Sequence, residues 1–284
     1  MSDSTRFSLR RIVVLTTLAA ASFIVATPAH AAQETATVLP AVNMEAVLKA
    51  AQIDPRRADD TQTPGAHDSV LLVEQALSAK GLLDSEYVDG YFGTTTITAY
   101  SAYQKSLGYT GIDASGLPGK TSLEKLGDGR YTVSSPISAG SQVTYHGVTL
   151  NTRTKAMLVA AEGLLGYQVG LTQGSYNPGG VDASAGTHDG GGAMDVSVSG
   201  MSAATRTKVA ETLRKVGFAA WVRTPDEGFA YHIHAIAISD PDLSSGAQHQ
   251  AGDYYLGLNG LANHGADDGP AVNPKLTWEE YQRR

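Results

Sequence analysis

Apolar and polar positions alternate with different periods in different parts of the chain. Val70, Leu71, Val73, Leu77 and Leu82-Leu83 recur at helical spacing, with Asp68 at the N-cap position. A turn, Val88-Asp89-Gly90-Tyr91-Phe92-Gly93, separates them from a second helical segment over Thr95–Leu107 that carries Ile97, Tyr100, Tyr103 and Leu107. A glycine-punctuated loop ends in Leu117-Pro118-Gly119-Lys120-Thr121, and a last short helix carries Leu123 and Leu126. Three short helices with apolar faces predict a small three-helix α bundle over residues 66–128.

A second pattern starts near residue 140. Thr152–Leu165 reads as an amphipathic helix through Met157, Leu158, Ala161 and Leu164-Leu165, stopped by Gly166. Strands are predicted at Tyr167–Thr172, Ala193–Val198, Phe218–Val222 and Ala230–Ile238. Helices are predicted at Ser202–Val216 and Asp242–Leu256. Helices interleaved with short strands predict an α+β domain over 140–284, ending in a polar tail. Residues 32–65 are rich in Ala, Thr, Pro and charge, with one helical pattern at Met44–Ala51, and read as a linker. The whole chain reads as multidomain.

The N-terminus supplies a compartment. Arg6, Arg10 and Arg11 precede an apolar run from Ile12 to about Ala26, and Thr27-Pro28-Ala29-His30-Ala31 follows with small residues at 29 and 31. A run this short before such a site predicts a signal peptide over 1–31 and a secreted or wall-associated protein, not a membrane anchor. No later segment is apolar and long enough to span a bilayer. The chain holds no cysteine, which excludes disulfides, thiolate nucleophiles and Cys-based zinc sites. It has 21 basic and 28 acidic residues; residues 1–31 hold three of the former and Asp3, so the mature chain carries 18 against 27, a net of −9. That balance argues against a nucleic-acid partner.

Within the predicted bundle, Asp89, Gly90, Phe92, Gly93 and Thr96 form an Asp-Gly-x-Phe-Gly-x-x-Thr turn, followed by Tyr103-Gln104 and by Gly119 and Thr121. This segment resembles the peptidoglycan-binding domain of wall hydrolases, with Tyr103 where that family carries Phe. The resemblance implies peptidoglycan as a partner. Phe92 and Tyr103 are expected in the core rather than at a ligand.

The chemistry lies in the second domain. His232 and His234 stand two apart on a predicted strand, so both imidazoles point to one face. Upstream, Thr187-His188-Asp189-Gly190-Gly191-Gly192-Ala193-Met194-Asp195 places glycines where the chain turns between a loop His and a strand Asp. Two imidazoles and a carboxylate can hold one metal ion and leave a position for water. His188, Gly191, Ala193 and Asp195 also satisfy His-x-x-Gly-x-Ala-x-Asp, with the His-bearing strand about forty residues on. In this the segment resembles the zinc D-alanyl-D-alanine carboxypeptidases and related L-alanyl-D-glutamate endopeptidases of the hedgehog-like fold.

That resemblance implies one zinc ion held by His188, Asp195 and His234, and hydrolysis of peptidoglycan stem peptides. It also implies a catalytic role for His232, since the position three before the last ligand, often acidic in the family, is Tyr231 here. Glu227 and Asp226 are reserves for that role. The family's Ser-Gly-Tyr-Arg segment is replaced by Gly174-Ser175-Tyr176 after Gln173, without its Arg. Gln173 and Tyr176 are the candidate substrate contacts, and Arg153 and Arg223 are distant substitutes. The missing Arg and acidic base define the alternative: a non-catalytic peptidoglycan-binding protein that retains the fold.

Overall fold

The computed structural model describes residues 38–59 and 61–284. The expected signal peptide, residues 1–31, lies outside the described residues. The fold is mixed α/β, with eight α-helices and three small sheets among the described residues.

Strand β1 (Ala41–Asn43) leads into helix α1 (Met44–Ile53), whose N-cap Asn43 accepts a hydrogen bond from the Ala46 amide. Met44, Val47 and Leu48 are fully buried. This corrects the reading of residues 32–65 as a linker, because the segment from Ala41 onward belongs to the core. A helix of 10 residues is marginal alone, but each buried apolar side chain of this face contributes roughly 1.5–3 kcal/mol. Its partners are helix α2 (His67–Ser78) and a helix some two hundred residues downstream. That distance makes the face unreadable from local composition.

Helices α3 (Thr94–Ser106) and α4 (Lys120–Leu126) both pack on α2. Phe92 and Tyr103 are buried, as expected of core residues. Two buried carboxylates fasten the turn before α3. Glu74 accepts from the amides of Asp89 and Gly90 and from Thr96 Oγ1. Asp54 accepts from the Phe92 amide and from Thr63. Gln104 ties α3 to the following loop, donating to the Leu117 carbonyl and accepting from the Gly116 amide. Of the polar motif residues, Gln104 therefore satisfies buried backbone groups and Thr96 a buried carboxylate.

Strand β2 (Thr132–Ser134) pairs in parallel with β1, and the hairpin β3 (Gln142–Tyr145) and β4 (Val148–Asn151) turns through His146 and Gly147, both at positive φ. Helix α5 (Thr152–Leu165) is capped by the Asn151 side chain and ends at left-handed Gly166. It covers the same residues that periodicity predicts. The strand predicted at Tyr167–Thr172 instead forms later, as β5 (Leu171–Gln173); the Val169 amide turns back to donate to Glu162. Strand β6 (Ala193–Ser197), helix α6 (Ala203–Lys215), strand β7 (Phe218–Arg223), strand β8 (His232–Ala237) and helix α7 (Ser245–Tyr255) follow close to their predicted places.

The main sheet runs β5-β6-β8-β7, antiparallel throughout. Met194, Val196, Phe218, Ala220, Ile233 and Ala235 point to one face and pack with α5 and α6. The opposite face carries Ala193, Ala219, Trp221 and Ile236, which join α1, α7 and the side chains of α2–α4 in one apolar cluster. Residues 39–284 thus form one compact unit. The segments expected as two domains share that cluster.

The polar tail closes over this arrangement. Arg214 grips Asp267 at 2.9 and 2.8 Å. The last helix, α8 (Trp278–Gln282), is fixed by ion pairs from Arg153 to Glu279 and from Lys49 to Glu280. Among the described residues no helix is long and apolar enough to cross a membrane.

Candidate metal centre

Register between β6 and β8 builds the centre. Asp195 lies opposite His234 and Ser197 opposite His232, so Asp195, His232 and His234 share the sheet face that carries Ala193 and Ile236. At one end this face is covered by α7; at the other it opens to a cleft of about 490 Å³.

His188 arrives from the loop before β6. Its backbone is held on two sides: the Asn177 amide donates to the His188 carbonyl at 2.9 Å, and the Tyr176 amide donates to the Gly190 carbonyl at 2.8 Å. The Gly191 amide donates to the Asp242 carbonyl at 2.7 Å. At Gly190 a side chain has no room, since a Cβ there would lie 2.2 Å from the Asp242 carbonyl oxygen. The glycines thus allow backbone to pack directly on backbone and carry His188 under Asp195.

His188, Asp195 and His234 are buried, and their ligand atoms lie within 4.8 Å of one another. Asp195 Oδ1 is 2.8 Å from His234 Nδ1 and 3.3 Å from His188 Nε2. His232 Nε2 stands slightly farther off, at 3.6 Å. Each ring's other nitrogen already has a partner. His188 Nδ1 is 2.8 Å from the Gly174 carbonyl, His232 Nδ1 is 2.7 Å from the Ala230 carbonyl, and His234 Nε2 is 2.8 Å from Gln250 Oε1. All three partners are acceptors, so the outward nitrogens are the protonated ones. A neutral imidazole has one N–H, which leaves three lone pairs aimed at one carboxylate.

The electrostatics sharpen this. Burial alone would raise the Asp195 pKa, but hydrogen bonds and charge from His188 and His234 outweigh it and hold the carboxyl well below the usual carboxylate range. Burial pushes the His234 pKa down, against the pull of Asp195. A cation between these groups would meet the ionised carboxylate and the imidazole lone pairs directly. The residues therefore fit a metal: an ionised carboxylate, two oriented imidazoles and outer partners that fix the orientation. The His188–Asp195–His234 group is able to hold one ion.

Other candidate residues fall in different places. Gln173 lines the cleft, with its amide on Ser184 Oγ at 3.2 Å. Tyr176 does not line it. Its hydroxyl donates to Asp242 Oδ2 at 2.6 Å behind the His188 loop, so it braces the loop. Burial and the neighbouring Asp242 both push its hydroxyl pKa up. Glu227 is spent on the Thr224 amide and hydroxyl and on Arg223, and among the described residues Asp195 is the only acidic one lining the cleft.

Arg153 and Arg223, the distant substitutes for the missing Arg, are both buried. Arg153 serves α8. Arg223 lines the cleft, with Nη2 donating to the Asn259 carbonyl at 2.8 Å and Nη1 3.5 Å from Glu227. Gln250 and the wall formed by Gly260, Leu261 and Ala262 escape the sequence reading altogether. Nothing in their spacing signals a site, because α7 and the tail reach it only through the tertiary fold.

No known family model, no curated protein and no solved structure matches this chain.

Proposed function

We propose that the protein is a secreted zinc peptidase that hydrolyses peptidoglycan stem peptides, either removing a terminal D-alanine or cutting within the stem. The observation that carries this reading is the convergence of His188 Nε2, His234 Nδ1 and His232 Nε2 on Asp195 Oδ1 at the floor of a cleft. Two imidazoles and one carboxylate, with no thiolate, suit zinc. Zinc held there supplies the Lewis acidity that makes amide hydrolysis accessible near neutral pH.

The chain's own residues divide the remaining work. His188, Asp195 and His234 hold the ion. His232, whose Nδ1 proton is committed to the Ala230 carbonyl, accepts a proton from the attacking water at Nε2 and returns it to the leaving amine. Val181, Phe229 and Leu261 give the cleft apolar walls that suit small alkyl side chains. The helical segment with the Asp89–Thr96 turn adds affinity for the polymer, in a fold of three-helix bundle plus hedgehog-like domain, and residues 1–31 direct export.

A second reading, a non-catalytic wall-binding protein, is favoured by one observation. Among the described residues Asp195 is the sole acid lining the cleft, and no arginine stands on the 172–176 segment.

The deciding experiment measures metal content of the mature protein and the masses of peptidoglycan fragments incubated with it, with and without a chelator. About one zinc per chain and a chelator-sensitive mass loss support the peptidase. Bound zinc with every fragment intact supports the second reading, and full cleavage by metal-free protein overturns the zinc assignment.

A further inference from the structure

His188 and His232 lean on backbone carbonyls, whereas His234 leans on a side chain. Gln250 Oε1 lies 2.8 Å from His234 Nε2, and Gln250 Nε2 lies 3.0 Å from the Gly260 carbonyl. A carbonyl oxygen only accepts, so Gly260 takes the NH₂ end of the amide. That leaves the amide oxygen facing His234, and this oxygen also only accepts. His234 must then carry its proton on Nε2 and present the Nδ1 lone pair to Asp195 and His188. With the amide turned the other way, two oxygens would face each other at Gly260. His234 would then donate from Nδ1 to Asp195 and be lost as a ligand.

We propose that Gln250 is a positioning residue that sets the tautomer of His234, and that the segment after α7 sets Gln250 through the Gly260 carbonyl. The proposal rests on the metal-site reading above. It makes the loop at 257–265 part of the site's construction: that loop supplies no ligand, yet it decides which nitrogen His234 offers. The Leu258–Ala266 bridge and the donation from Arg223 to the Asn259 carbonyl hold the loop in place. Such outer partners typically carry about 10–100-fold in metal affinity.

The test compares zinc dissociation constants of wild type, Gln250→Met and Gln250→Glu, together with ¹⁵N spectra of the His234 ring in the zinc-loaded proteins. Methionine is close in shape and removes both hydrogen bonds. Glutamate keeps an acceptor for His234 but gives up the donor to Gly260. If Gln250 acts through the tautomer, the Met variant loses about 10–100-fold in zinc affinity. The Glu variant stays close to wild type, and only proteins with an acceptor at 250 show the protected Nε2 proton. If Gln250 merely anchors the loop, the Glu and Met variants weaken equally, which overturns the proposal. Undiminished zinc binding by the Met variant with an unchanged ring spectrum overturns it as well. Wild-type protein that binds no zinc overturns the metal-site reading and this inference together, an outcome distinct from the other two.

Discussion

Arg153 on α5 meets Glu279 on α8 as a two-pronged fork, with Nε and Nη2 each 2.9 Å from a different carboxylate oxygen. The same Nη2 donates to the Ile238 carbonyl at 2.9 Å, just beyond β8. One buried guanidinium thus joins the helix behind the sheet, the strand bearing the histidines and the C-terminus. Paired forks of this kind are among the stronger charge-assisted hydrogen bonds. Arg153→Met is expected to cost about 2–4 kcal/mol, below the full value for a broken buried pair because Glu279 retains some solvent. Urea denaturation checks this. A loss under about 0.5 kcal/mol, the range of ordinary surface changes, would show that α8 is held by other contacts.

The metal centre predicts a separation among its residues. His188→Ala, Asp195→Ala and His234→Ala should each abolish stoichiometric zinc binding, whereas His232→Ala should keep the ion and lose turnover. Zinc at about 100 times its dissociation constant should stabilise wild type by about 2.7 kcal/mol. The same addition should leave the Asp195→Ala melting curve where it was. Thermal melts with and without zinc read this directly. An equal rise in both proteins would place the ion elsewhere.

Tyr176 should behave as a brace. Tyr176→Phe removes the donor to half-buried Asp242 and is expected to cost about 1 kcal/mol. The Michaelis constant for a cleaved peptide should stay unchanged. A raised Michaelis constant at unchanged stability would instead put the hydroxyl on the substrate.

Glu74 should impose a pH dependence on stability. It is fully buried, and burial pushes its pKa up to about 7 from an ordinary 4.5, with the Gly90 and Thr96 hydrogen bonds pulling the other way. Between those values the folded protein holds a proton that the unfolded chain has released. Stability should therefore fall as pH rises through that window, by at most on the order of 3 kcal/mol, and level off above it. Asp54 and Asp242, also raised by burial, add slopes of the same sign. The difference between wild type and Glu74→Gln is thus the informative quantity. The amide keeps an acceptor for the Asp89 and Gly90 amides and donates to Thr96, so the variant should show a flatter profile. Urea midpoints at about pH 5 and pH 8 test it, and parallel profiles would acquit Glu74.

Much of the centre could be read before any fold was known. The parity of His232 and His234 is a property of any strand. The glycines from 190 to 192 mark the turn between the loop His and the strand Asp. Helix α5 was legible because the apolar spacing and Gly166 are local signals. Other readings failed where the deciding partner was remote. Tyr176 sits in a suggestive segment, but Asp242, sixty-six positions on, determines where its hydroxyl points. Arg153 and Arg223 resemble surface charges until the tail and β8 close around them.

The sequence by itself pointed to His188, Asp195 and His234 as a group that could hold a metal ion, and to the helices whose periodicity and stop signals are local. Only the tertiary structure decided that residues 41–56 belong to the core, that Gln250 faces His234, and that the tail walls the cleft. The reason is physical. Periodicity and turn chemistry act between neighbours in the chain, whereas burial and hydrogen-bond partnership depend on which distant segments the core draws together.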